Sequence, residues 1–182
     1  MINISIDKEI VSGCLKRQPQ AQEALYRACY PVFMKICLRY TDSYDDAANV
    51  LQDAFIKIFT KLETFKGTGD IVGWMKRIVV NSALDYLRKE KTSGFVSMPE
   101  VPDSIDQDDS TPSKYVIDEQ QLLLLIRELP KMQSLVFNLF VMEDYSHQEI
   151  ADQLSITVAL SKWYLFDSRK ILQKKLAVYV NE

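Results

Sequence analysis

Residues 92–114, TSGFVSMPEVPDSIDQDDSTPSK, constrain this chain more than any other stretch, because three prolines and five acids interrupt an otherwise helix-periodic pattern. Proline fixes φ and removes an amide donor, and clustered like charge and Ser/Thr oppose burial, so residues 93–114 read as a flexible acidic linker. That leaves residues 1–92 and 115–182 to form separate units, each near the lower size limit for an independent core. At 47% hydrophobic and 26% charged, the chain has enough apolar material to fold. No stretch alternates with the period of a strand, and no repeat recurs at a fixed interval. The expected fold class is therefore all-α, with two small helical domains joined by a linker.

Apolar spacings of three and four place the helices. In the first unit they run from about Asp7 to Lys16, Ala21 to Tyr40, Tyr44 to Leu62 and Ile71 to Lys89. Pro31 stands inside the second and is expected to split or kink it. In the second unit, helices are expected over Tyr115–Leu129 and Met132–Met142. Two more follow at the C-terminal end, around 146–154 and over Val158–Leu176.

Composition removes several function classes. Five glycines leave little material for a glycine-rich phosphate loop, and His147 is the only histidine, which leaves histidine-based metal cages and nucleophile triads without partners. Cys14, Cys29 and Cys37 are odd in number and unpaired in spacing, as expected of reduced thiols. The start, MINISIDKEIVSG, has neither the basic opening nor the apolar run of a secretory signal, and no apolar run approaches the length of a membrane span. A cytoplasmic location is expected, with no metal, no cofactor and no small-molecule substrate. The net charge of −3 is unevenly distributed. Residues 1–92 carry 14 Lys+Arg against 11 Asp+Glu, whereas Lys162, Arg169, Lys170, Lys174 and Lys175 cluster on one helix around the single acid Asp167. Phosphate neutralisation of modest extent follows, local rather than global.

Two constellations carry chemistry. Ser146 with Glu149 three residues later forms a capping box, Ile150, Ala151 and Leu154 form a narrow apolar face, and Ser155-Ile156-Thr157 connects to the next helix. This is helix-turn-helix spacing, whose second helix enters a major groove. An ordinary helical hairpin has the same spacing, and the basic residues favour DNA. Leu160, Trp163, Tyr164 and Phe166 suit thymine methyls and sugars, or packing on a neighbour, better than paired hydrogen bonds to bases. On the helix IVGWMKRIVVNSALDYLRK, Trp74, Arg77, Asn81, Leu84 and Arg88 are expected on one face, and Ile71, Met75, Ile78 and Val79 on a core face. An aromatic, two arginines and an amide suit single-stranded nucleic acid, with Lys66, Lys76 and Lys89 extending the positive character. A solvated face with a half-buried tryptophan is the plainer alternative.

Three strings, in order, decide between these. DDAANVLQDAFIKIFTKLETF (45–65), GWMKRIVVNSALDYLRK (73–89) and LPKMQSLVFNLFVMEDYSHQEIADQLSITVALSKWYLFDSRKIL (129–172) resemble sigma factors of the extracytoplasmic-function group in the sigma-70 family. The resemblance covers about Asp7 to Leu176. It implies a transcription initiation factor, not an enzyme, with core RNA polymerase, promoter DNA and an anti-sigma factor as partners. It implies that Asp46, Asn49, Gln52, Asp53 and Phe55 dock on the polymerase clamp helices. It further implies that Lys66, Trp74, Arg77, Asn81, Arg88 and Lys89 melt and hold the minus-ten element, with Asn81 at the pocket of a flipped base. Ser161, Lys162, Trp163, Tyr164, Arg169 and Lys170 are implied to read the minus-thirty-five duplex. Departures are visible: Ala48 and Asn49 stand where the family has acids, Ala159-Leu160 replace a Gly-Thr pair, and Tyr164 replaces an arginine. The rival readings are a helix-turn-helix regulator acting without polymerase, and an enzyme with a metal held by Asp42, Asp45, Asp46 and Asp53, which lack histidine partners and lie on different helix faces.

Overall fold

The computed structural model describes residues 4, 6–65, 69–90 and 119–179. Lys66 and the expected linker 93–114 lie outside the described residues. Every regular element among the described residues is helical, and the chain divides into two compact units, Met1–Val96 and Ser97–Glu182.

The first unit contains α1 (Lys8–Leu15), α2 (Pro19–Tyr40), α3 (Tyr44–Lys61) and α4 (Ile71–Glu90). Helices α2, α3 and α4 pack against one another, and α1 lies on α2. Their apolar stripes meet in an apolar core of Leu25, Cys29, Phe33, Ile36, Leu51, Ile58, Met75 and Val79, each at most 2% exposed. Helix α2 is not split at Pro31 but runs unbroken for 22 residues. Pro31 and Arg27, four residues earlier, are exposed, so water can serve the carbonyl that proline leaves without a donor. Gly13 permits the close approach of α1 to α2, since a Cβ there would lie 2.5 Å from the Ala21 Cβ. A 3-10 turn, Leu62–Thr64, ends α3. Asp70 then opens α4, its carboxylate accepting from the amides of Val72 at 2.9 Å and Gly73 at 3.0 Å. Cys14, Cys29 and Cys37 are separate buried thiols, and burial pushes Cys29 up to about 11 and Cys37 up to about 12.

The second unit contains α5 (Glu119–Arg127), α6 (Lys131–Phe137), α7 (His147–Leu154) and α8 (Val158–Tyr179). Helix α8 packs on α5, α6 and α7. The helix expected through Met142 instead changes at Asn138 into a π turn, Asn138–Met142. Leu135, Val136, Phe137, Asn138 and Leu139 are all buried in succession, which the widened turn and neighbours on several sides accommodate. No helix among the described residues is long and apolar enough to cross a membrane.

Candidate functional site

Helix α3 begins with a side-chain cap: Ser43 Oγ accepts from the Asp46 amide at 3.0 Å and donates to the Asp46 carboxylate at 2.5 Å. Asp46 is thus tied into the cap and half-buried, whereas Asn49, Gln52 and Asp53 are exposed along the outer face. Phe55 is not on that face. It is 3% exposed, with its ring 4.6 Å from Tyr26 and 6.0 Å from both Phe33 and Phe59. Its expected docking role is corrected to that of a core residue supporting the face from beneath. The apolar side chain that does face outward is Ile56, 59% exposed. At about 100° per residue it falls between Gln52 and Asn49, so the period of the helix separates it from Phe55, although it was not among the residues singled out from sequence.

Helix α4 presents an outward arc of Arg77, Arg88, Asn81, Trp74, Asp85, Ile78 and Lys89, in angular order at about 100° per residue. Arg77, Arg88 and Lys89 are exposed, and Trp74 and Asn81 are half-buried. Leu84, expected on this face, is 2% exposed and packs in the core, while Ile71 and Ile78 sit half-buried at its border. Trp74 is braced by Phe65, which the sequence reading missed, with ring centroids 5.6 Å apart. The amide oxygen of Asn81 is buried and has no hydrogen-bond partner. A desolvated acceptor without a donor is costly, so turning the Asn81 amide outward to meet a donor relieves that cost.

The two expected surfaces of the first unit meet. A groove of about 360 Å³ between α3 and α4 is lined by Asn49, Asp53, Lys57, Asp85, Arg88 and Lys89, among others. Asp85 accepts from Lys57 Nζ at 3.1 Å and from Arg88 Nη1 at 2.7 Å.

In the second unit the capping box is complete, with Ser146 Oγ accepting from the Glu149 amide at 3.2 Å and the Ser146 amide donating to Glu149 Oε2 at 2.9 Å. Thr157 Oγ1 accepts from the Leu160 amide at 3.1 Å at the start of α8. Ser155 closes α7 in the left-handed region at φ 55°, and the Ile156 amide donates to the Ala151 carbonyl at 3.1 Å. Helix α8 turns Lys162, Trp163, Phe166, Arg169 and Lys170 along its outer arc, with Lys162 and Lys170 exposed and the others half-buried. Two expected DNA contacts are not there. Ser161 is fully buried, its Oγ 2.9 Å from His147 Nδ1, and Tyr164 is 6% exposed, 5.2 Å from the Trp163 ring. Both are corrected to packing residues that fix α8 against its neighbours. His147 stacks on Phe140 at 4.4 Å. Burial, and then the charges of Lys162 and Arg169, hold its pKa below the ordinary value.

Residues 25–92, which hold α3 and α4, match the family described as Sigma-70 region 2, and residues 119–172 match Sigma-70, region 4. The chain belongs to the sigma-70 family, as a sigma factor of the extracytoplasmic-function group. Among its relatives is the ECF RNA polymerase sigma factor SigE of Mycolicibacterium smegmatis, 24% identical over 90% of this chain and 61% of that protein. The chain therefore spans about three fifths of that relative's length. The ECF RNA polymerase sigma-E factor of Haemophilus influenzae is 25% identical over 74% of this chain and 76% of its own length. The fold is shared with the sigma factor RpoE of Bartonella quintana, solved in complex with the anti-sigma factor NepR. Its TM-score is 0.53 at 19% identity, covering 86% of this chain and 96% of that one.

Proposed function

We propose that this sigma factor binds core RNA polymerase and directs it to promoters, docking through Asp46, Asn49, Gln52, Asp53 and Ile56 on the outer face of α3. Trp74, Arg77, Asn81, Arg88 and Lys89 then hold the melted minus-ten strand. The aromatic stacks on a base, the cations meet phosphates, and the Asn81 amide pairs with a base edge. Lys162, Trp163, Arg169 and Lys170 contact the minus-thirty-five duplex from the outer arc of α8, through phosphates and thymine methyls rather than paired hydrogen bonds. No catalytic residue is needed, because base capture and phosphate contacts offset the melting. The setting is the cytoplasm, and an anti-sigma factor is the expected inhibitor, by analogy with the relative solved in such a complex.

The observation carrying the strand-reading role is the half-buried Asn81 in the middle of a cationic and aromatic arc, its amide oxygen without a partner within the protein. Run-off transcription with core polymerase on a promoter library tests it. The chain should yield discrete transcripts, and Asn81→Ala should weaken them roughly tenfold, the equivalent of one buried hydrogen bond of about 1.4 kcal/mol. Tight duplex binding by the chain alone, without binding to core polymerase, would instead establish a conventional regulator.

A further inference from the structure

The strand-binding arc of α4 contains one carboxylate among its described side chains, Asp85, placed in angular order between Trp74 and Ile78. An acid there opposes the binding of a polyanion. Its surroundings supply a purpose. One oxygen accepts from Arg88 Nη1 at 2.7 Å and the other from Lys57 Nζ at 3.1 Å, the second reaching across from α3. Two cations converging on separate oxygens of one anion is the arrangement in which a phosphate is held. The three side chains are 39–52% exposed, so water screens the pairs and each contributes little to stability. An arrangement this exposed is readily displaced.

We propose that Asp85 is an internal stand-in for a nucleic-acid phosphate, occupying Arg88 and Lys57 in the free factor and yielding them when a strand arrives. This rests on the reading of α4 as the strand-binding helix and adds a competitor to it. The free protein is kept from scavenging single strands because a phosphate entering the groove must displace a carboxylate already in place. Asp85 thereby sets how much nucleic-acid affinity the factor shows on its own. Lys57 couples that setting to α3, the helix that carries the docking face.

The test is fluorescence anisotropy of the full chain with a short labelled oligothymidine, measured across a range of salt concentrations. Asp85→Asn should tighten binding by roughly fivefold, the yield of removing an exposed competing pair. It should also steepen the log K against log salt slope by about 0.7 for each phosphate newly neutralised. Arg88→Gln should weaken the parent, because it removes a strand contact, and Asp85→Asn placed on top of Arg88→Gln should recover little of its gain. A urea transition read from Trp74 checks that the amide variant stays folded. If it does not, Asp85→Ser replaces it in the same assay, with the same gain expected and the same dependence on Arg88. Unchanged or weaker binding by the folded variant overturns the proposal, while the strand-binding reading stands if Asn81→Ala still reduces binding. Absence of strand binding by every variant, free or with core polymerase on a pre-melted template, overturns both.

Discussion

The two units solve the same packing problem with different materials. In the first, the fully buried positions are apolar, from Leu25 and Phe33 through Ile58 to Met75, and Ser82 is the polar exception among the described residues. In the second, Asn138, Glu143, Ser161 and Ser168 are buried among the apolar side chains, and His147 is pinned between Phe140 and Ser161. A core filled by apolar side chains leaves most polar residues for the surface, and the outer arcs of α3 and α4 are rich in amides and charges. A core with polar members draws on the helix that should face DNA, and α8 surrenders Ser161 and Tyr164 to packing. The lesson is that a recognition helix in a small unit is shared property, and its inner half is set by stability before its outer half is set by sequence readout.

The sharpest way to break this contrast is to remove one large ring from each core. Phe33 is fully buried, so Phe33→Ala should destabilise the first unit by about 3–5 kcal/mol through lost transfer energy and the cavity left behind. Phe140 is only half-buried beside His147, and Phe140→Ala should cost the second unit about half as much. Each unit holds one of the chain's two tryptophans, so urea transitions of Trp163→Phe and Trp74→Phe backgrounds report the units separately. Equal losses in both units would mean that Phe140 carries more of the second unit's packing than its half-buried position implies.

Acid should separate the units next. The pKa of His147 lies below the ordinary 6.5 because burial and the charges of Lys162 and Arg169 disfavour its protonated form. As pH falls, the unfolded chain takes up the proton first, so the linked stability is complete above about 6.5 and is lost as pH falls towards the folded value. The first unit has no histidine. Between about pH 7 and 5.5 the Trp163 transition should therefore shift to lower urea while the Trp74 transition holds. His147→Gln should flatten the Trp163 profile, although it also disturbs the contact with Ser161. A parallel shift in both units would remove His147 as the cause.

Much of this was legible from spacing. The helical class, the capping box at Ser146 and Glu149, and the grouping of Trp74, Arg77, Asn81 and Arg88 all follow from residue type and period. What failed did so where period was judged loosely. Leu84 was placed outward, yet it lies within the inward arc at about 100° per residue, whereas the docking role of Phe55 came from resemblance and not from period. Ser161 and Tyr164 were placed by resemblance, and a matched string does not say which residues the local core has claimed. The π turn at Asn138 and the ion pairs of Asp85 depend on neighbours distant in sequence, and no local pattern encodes them. The split expected at Pro31 does not occur, and Pro31 lies where both it and Arg27 are exposed, a setting that residue type alone does not reveal.

The smallest expected effect concerns how α7 is held. Asp144 and Ser155, just before and just after it, both have positive φ, 58° and 55°. Both are exposed, so neither is forced there by burial of its own side chain. The conformation is imposed by the close junctions of α7 with the π turn and with α8. Left-handed backbone disfavours a residue with a Cβ, and the position after a helix end is where glycine is usual. Ser155→Gly should therefore raise the Trp163 transition by about 0.5 kcal/mol, the relief of strain less the added freedom of the unfolded chain. The same change should leave promoter affinity unaltered, because the angle between α7 and α8 is also fixed by the His147–Ser161 contact. If stability rises but duplex binding weakens, that angle depends on the stiffness of residue 155, and the second unit trades stability for a rigid turn where the first relies on its core.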